Sequence, residues 1–221
     1  MNNPPFIFLG LLITFLASFA GLVVAPQMQI GRQVSVPDKL TGTPYPSARP
    51  GLAAKGKEIY RSLGCAECHT RQVRPKYSNT DFSTDIARGW GNRFTVAQDY
   101  LNDYPVMLGN LRVGPDLANI GARQTNENWH LLHLYNPREV APKSLMPRYP
   151  FLFNVKPGAR PTIESIHHFA TDDANNLVAY LLSLQATTPL FESPLPLPKT
   201  NAPAATDTNA PVAVDTNAPA K

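Results

Sequence analysis

Gly64-Cys65-Ala66-Glu67-Cys68-His69 is the stretch on which the reading of this sequence turns. Its Cys-x-x-Cys-His spacing is the attachment signature of a c-type haem. Two thiols one helical turn apart can reach two vinyl groups on one edge of a porphyrin, and the next residue sets an imidazole beneath the iron. Cys65 and Cys68 are the only cysteines in the chain, too few for a disulfide scaffold. A zinc site would need two more ligands at finger-like spacing, and His167-His168 are adjacent rather than spaced. A thioredoxin-like dithiol would need a preceding strand, whereas a helical pattern leads into Cys65. The expectation is one covalently attached haem c, held by Cys65, Cys68 and His69.

Upstream of the motif, Leu52, Gly56, Ile59, Tyr60 and Leu63 recur at helical spacing and stop at Gly64, a suitable C-cap. Downstream, Thr171-Asp172-Asp173 offers an N-cap to the stripe Leu177, Tyr180, Leu181 and Leu184. Between them only short helices fit, at 95–102 and 126–134, and no alternating β-branched run argues for a sheet. The predicted fold class is all-α, a cytochrome c-like haem domain with long loops.

An electron-transfer haem needs a sixth iron ligand. Met28, Met107, Met146, His130, His133, His167 and His168 are the candidates. Met146 lies in Ser144-Leu145-Met146-Pro147-Arg148-Tyr149-Pro150, where prolines fix an extended loop able to present a thioether at little entropic cost. Met107, after Tyr104-Pro105, is the runner-up. The proximal His69 needs an acceptor for its other ring nitrogen, and the Pro115 carbonyl in Gly114-Pro115-Asp116-Leu117 is the nominee. The haem propionates need donors. Arg71, Arg74, Lys76, Arg88 and Arg93 face only Asp81 and Asp85 in that segment, so Arg74, Arg88 and the Trp90 indole are the expected partners, with a solvated basic face as the rival reading. Trp129 is expected to be packing, and His133 to bond a loop carbonyl.

Phe6 to Ala25 holds no charge, and at about 1.5 Å per residue these residues would span roughly 30 Å of hydrocarbon. No Lys or Arg precedes the run and Pro26 spoils a cleavage junction, so an uncleaved transmembrane anchor (1–28) is favoured over a signal peptide. A Pro/Gly linker (29–50), the haem domain (51–186) and a Pro/Ala/Thr tail (187–221) follow, the last repeating Thr-Asn-Ala-Pro from 200, 208 and 216. The net charge of +4 without an aromatic-basic motif sets nucleic acid aside. The sparse charges beside the anchor, Arg32 and Lys39 against Asp38, weakly favour a cytoplasmic domain. Haem attachment outside the cytoplasm overrides them and places the domain on the periplasmic face of a bacterial inner membrane.

The runs GKEIYRSLGCAECHTRQVRP, RGWGNRFTVAQDYLNDYP, LGNLRVGPDLANIGAR and WHLLHLYNPREVAPKSLMPRYPFLF occur in that order. They resemble the mono-haem cytochrome c subunit of cbb3-type cytochrome oxidases from Gly56 to Phe153. That resemblance implies His69 and Met146 as axial ligands. It also implies one-electron transfer from a donor cytochrome c to the catalytic subunit, without catalysis by this chain alone. Segment 76–87 reads as an insertion, and 154–171 and the tail resemble nothing in that family. The alternatives are a membrane-tethered cytochrome shuttle and the cytochrome subunit of a nitric oxide reductase. With an open sixth position, the chain would instead be a ligand-binding sensor or a peroxidase-like enzyme.

Overall fold

The apolar N-terminus is helical from its first described residue. Helix α1 (Pro4–Phe19) continues through a π-helical turn (Ala20–Val24) into α2 (Ala25–Ile30). Pro4–Gln29 comprises 26 residues, and none of its most apolar window is buried. At about 1.5 Å per residue this is roughly 39 Å, longer than the ~30 Å hydrocarbon core of a bilayer. The computed structural model describes residues 4–31, 33–38, 41–75 and 85–193. The Thr-Asn-Ala-Pro repeats, Lys76 and Asp81 lie outside the described residues.

The segment expected to be a free linker is instead laid on the domain. A two-residue antiparallel ladder, β1 (Val36–Pro37) with β2 (Pro44–Tyr45), pairs Val36 with Tyr45 and Pro37 with Pro44. These strands are too short to leave a period-2 signature. Gln98 Nε2 donates to the Val34 and Tyr45 carbonyls at 2.7 and 3.3 Å, and Asn102 Nδ2 donates to Pro46 O at 2.8 Å. Tyr45 Oη donates to Asp99 at 2.6 Å.

Among the described residues six helices follow in order: α3 (Gly51–Ser62), α4 (Cys65–Cys68), α5 (Ile120–Arg123), α6 (Glu127–Tyr135), α7 (Pro137–Val140) and α8 (Asp172–Ser183). The core forms where α3 crosses α8. Gly56 is the contact point, because a Cβ there would lie 1.9 Å from the Asn176 carbonyl oxygen. Tyr60 and Tyr180 meet edge-to-face one turn further on, with ring centroids 5.3 Å apart. The buried stripe of α3 is Ala53, Gly56, Lys57 and Tyr60, while Leu52 is 61% exposed. The face is therefore turned by about one position from the apolar reading, because Lys57 carries a charge into the interior. In α8 the predicted stripe is buried, and Thr171 Oγ1 accepts from Ala174 N at 3.3 Å as the N-cap. Gly64 closes α3 with φ +68°, which favours glycine. The expected helix at 95–102 is one 3₁₀ turn, Ala97–Tyr100, and that at 126–134 is α6, capped by Asn126.

Arg71 and Arg93, from the cluster read as propionate donors or a solvated basic face, are internal. Asp103 is 2% exposed and meets Lys57 and Arg71 at 2.6 Å each and Arg49 at 3.2 Å. Burial pushes its carboxyl up, and the three cations more than offset this, holding it below the usual carboxylate range. Arg93 is 1% exposed, pairs with Asp99 at 2.6 Å and donates from Nε to Thr188 O at 2.6 Å. Ser193 Oγ donates to Phe94 O, and Thr188 Oγ1 donates to Asp38. Residues 187–193 thus belong to the packed unit, which runs past the boundary expected at 186.

Candidate functional site

Helix α4 is one turn long and begins immediately after Gly64. His69 then leaves the helix in extended conformation, with φ −119° and ψ 135°, and its N–H donates to Cys65 O at 3.0 Å. The imidazole leans on a loop that has no room for anything else. A Cβ at Gly114 would fall 2.2 Å from His69 Cε1, so only glycine permits the ring to sit there. His69 Nδ1 lies 2.8 Å from the Pro115 carbonyl oxygen. A carbonyl only accepts, so Nδ1 carries the proton and Nε2 keeps its lone pair. Burial pushes the His69 pKa below its ordinary value, opposed by the bond to Pro115, so the ring is neutral near pH 7, as a metal ligand requires.

Asp116 locks that loop. Its buried carboxylate accepts from Thr70 Oγ1 at 2.6 Å, Gln72 N at 2.7 Å and Ala118 N at 2.8 Å, while Gly114 N donates to Cys68 O at 3.0 Å. Sequence reasoning nominated Pro115 and passed over Asp116 next to it. The signal was the Gly-Pro-Asp-Leu run itself, where an acid follows a rigid turn and can satisfy several backbone donors.

Cys65, Cys68, His69 and Met146 all line one cavity of about 450 Å³. Its walls are mostly apolar, with Leu117, Ile120, Leu134, Leu177 and Leu181 among them. The Met146 loop is tied at both ends: Ser144 N donates to Ala141 O at 2.8 Å and Tyr149 N donates to Leu134 O at 2.9 Å. Of the other candidate ligands, Met28 lies on α2 and is 71% exposed, and Met107 packs on the core outside the cavity lining. His167 and His168 are exposed on a 3₁₀ turn, also outside it. His130 and His133 line the cavity, but His130 Nε2 is bonded to Gln124 O at 2.9 Å. That loop-carbonyl role was expected of His133. His133 instead stacks on Trp129, centroids 4.7 Å apart and planes within 7°, and its buried Nδ1 has no partner. Burial, then repulsion from His130 and His69, pushes its pKa down to about 4.

The expected propionate partners are elsewhere. Asp85 gathers them: it accepts from the Arg74 backbone N–H at 2.7 Å, lies 3.9 Å from Arg88 and pairs with Arg112 at 2.6 Å. Trp90 lies beneath the guanidinium groups of Arg88 and Arg112, 4.9 and 5.4 Å from its centroid. None of Arg74, Arg88 and Trp90 lines the cavity. Lys143 is the Lys or Arg that does line it among the described residues. A second cavity of about 560 Å³, between 38–50 and the end of α8, contains no Cys, His or Met in its lining.

The residues around the first cavity fit a flat, largely apolar group with a metal at its centre. The cavity lining offers a neutral imidazole and a methionine, and two buried polar atoms, Tyr60 Oη and His133 Nδ1, lack a partner among the described residues. Burial pushes the Cys65 thiol up to about 11, the reverse of the acidic thiol of a disulfide oxidoreductase. Among the described residues no group of three or more His, Cys, Asp and Glu is placed to hold a bare metal ion. Fold and site therefore define a mostly helical domain, with one cavity that gathers Cys, His and Met, behind an apolar helix.

Comparison with known families makes this specific. Residues 2–185 match the model of the cytochrome c oxidase mono-haem subunit, FixO, and the chain belongs to that family, the mono-haem subunit of cbb3-type oxidases. The match runs through 154–171, which had been expected to be unlike the family. No curated protein matches the chain.

Proposed function

We propose that this chain is the membrane-anchored electron-transfer subunit of a cbb3-type oxidase. In this reading it takes single electrons from a donor cytochrome c and passes them to the oxygen-reducing subunit. Cys65 and Cys68 hold the haem covalently, His69 and Met146 ligate the iron, and Pro115 orients His69. The carrying observation is that all four attachment and ligand side chains line one cavity. Haem bound there supplies a one-electron Fe(III)/Fe(II) couple, and a His/Met ligand pair favours a higher potential than two histidines. Met146 on its doubly tied loop keeps the sixth position filled, so the chain alone is not an oxygen-reducing enzyme.

The packed connector favours a fixed subunit over a free shuttle. Val34, whose carbonyl is bonded to Gln98, lies three peptide steps beyond Gly31, a reach of at most about 11 Å. Helix Pro4–Gln29 would anchor the chain in the bacterial inner membrane, with the haem domain close to its periplasmic face. The test is a reduced-minus-oxidised spectrum of the tagged chain purified from membranes in mild detergent. A c-type band with co-purifying b-type haem and oxygen consumption is expected, and the reduced c-type haem should resist carbon monoxide. A c-type band alone would overturn the oxidase assignment. Undiminished haem stain on a denaturing gel after Cys68→Ala would overturn the attachment site.

A further inference from the structure

Within the cavity, two buried polar atoms have no hydrogen-bond partner among the described residues, and one belongs to a side chain stacked on a neighbouring ring. The His133 ring lies flat on Trp129 on α6, and both rings line the cavity together with Met146 and His69. A buried nitrogen left unbonded costs about 1–3 kcal/mol, and inside an apolar-walled cavity a guest can supply the partner. Resting on the haem reading above, we infer that His133 is a positioning residue that donates from Nδ1–H to an acceptor of the iron unit, either a haem carboxylate or the axial Met146 thioether. Both are acceptors near neutral pH, so one N–H serves either.

The sign of the effect follows from charge. Donation to a lone pair that would otherwise push electron density toward iron disfavours Fe(III), so the native bond raises the reduction potential. Its loss should favour Fe(III) about tenfold, about 59 mV for a one-electron couple.

The test is an optical redox titration of the c-type haem in the detergent-purified complex. His133→Phe keeps an aromatic ring on Trp129 and removes both nitrogens. His133→Asn keeps an N–H near the Nδ1 position. A lowered potential in the Phe variant, restored at least in part by Asn, is expected. A concurrent shift of the ferric thioether-to-iron charge-transfer band would identify Met146 as the acceptor, and an unchanged band would identify a carboxylate. An unaltered potential in His133→Phe overturns the inference. So does carbon monoxide binding in His133→Phe with none in Met146→Leu, which would make His133 the sixth ligand. If the Phe variant loses its haem, the Asn variant decides: a wild-type potential upholds the donor role, and a potential lowered by about 59 mV or more, a tenfold change in the equilibrium, overturns it. Absence of any c-type band in wild-type protein would overturn the haem reading itself, a distinct result.

Discussion

The cavity at His69 and the polar clamp around Asp103 and Asp99 treat buried polar atoms differently. In the clamp, each charged head group meets an opposite charge from a distant part of the chain: Asp103 takes Arg49, Lys57 and Arg71, and Asp99 takes Arg93. Arg49 and Arg71 do keep an unbonded Nε each, but neither keeps an unpaired charge. In the cavity, Tyr60 Oη and His133 Nδ1 are left with no partner and the walls are apolar. The clamp pairs its charges within the chain. A region built to receive a guest leaves its valences open, and the two should respond differently to substitution.

The largest expected effect is on the cavity side. Gly114→Ala would put a methyl group where the His69 ring stands, 2.2 Å from Cε1. The backbone is pinned by the Gly114 N–H bond to Cys68 O on one side and by Asp116 on the other, so the ring must move, and in the proposed reading iron ligation goes with it. Haem content and the optical bands of the purified chain should collapse while helix content holds. Gly51→Ala, where nothing lies within 4 Å of the new Cβ, should behave as wild type. A Gly114→Ala protein with native spectra would mean that His69 does not need its observed position.

How legible each region was follows from the same contrast. That Cys65, Cys68, His69, Pro115 and Met146 come together at one cavity could be anticipated, because close spacing and prolines leave marks in a short stretch of sequence. Lys57, Asp103 and Arg93 could not, because an ion pair has no period and a sequence does not say which charges are inside. Arg71 and Arg93 accordingly read as candidates for solvent or a ligand, and both are buried. The linker failed for a related reason. Its prolines suggest an extended chain, but the hydrogen bonds that lay it on the domain come from Gln98, Asn102 and Asp99, some fifty or more positions away. Gly114 and His133 fell between the two: both stood inside recognisable runs, and their roles depend on what touches them.

On the clamp side, Asp103→Asn should cost about 3–5 kcal/mol, since it strands three cations around a neutral amide. The melting temperature of the purified chain should fall on the order of 10 °C, with haem spectra unchanged below the transition. The Asp103 carboxyl lies below its ordinary value when folded, so its stabilisation is complete above the unfolded-state pKa and is lost as pH falls through the folded one. Wild type should therefore lose stability below about pH 4 in a way that Asp103→Asn does not. Parallel pH profiles for the two proteins would mean that the cluster contributes nothing on balance.

The smallest effect separates the connector from the domain it lies on. Burial, then repulsion from Asp99, raises the Tyr45 pKa, so its hydroxyl stays protonated and serves as donor to Asp99 at 2.6 Å. Tyr45→Phe keeps the ring over Arg93 and removes that bond, worth about 1.5 kcal/mol because the acceptor is charged. Global stability should barely change, since Asp99 retains Arg93. The local opening of 33–50 should instead become about tenfold more frequent, read as an equal increase in the rate of limited proteolysis within that segment. Cleavage at the wild-type rate would mean that Gln98 and Asn102 suffice to hold the connector. Tenfold faster cleavage would assign the short tether between membrane helix and haem domain to one phenol.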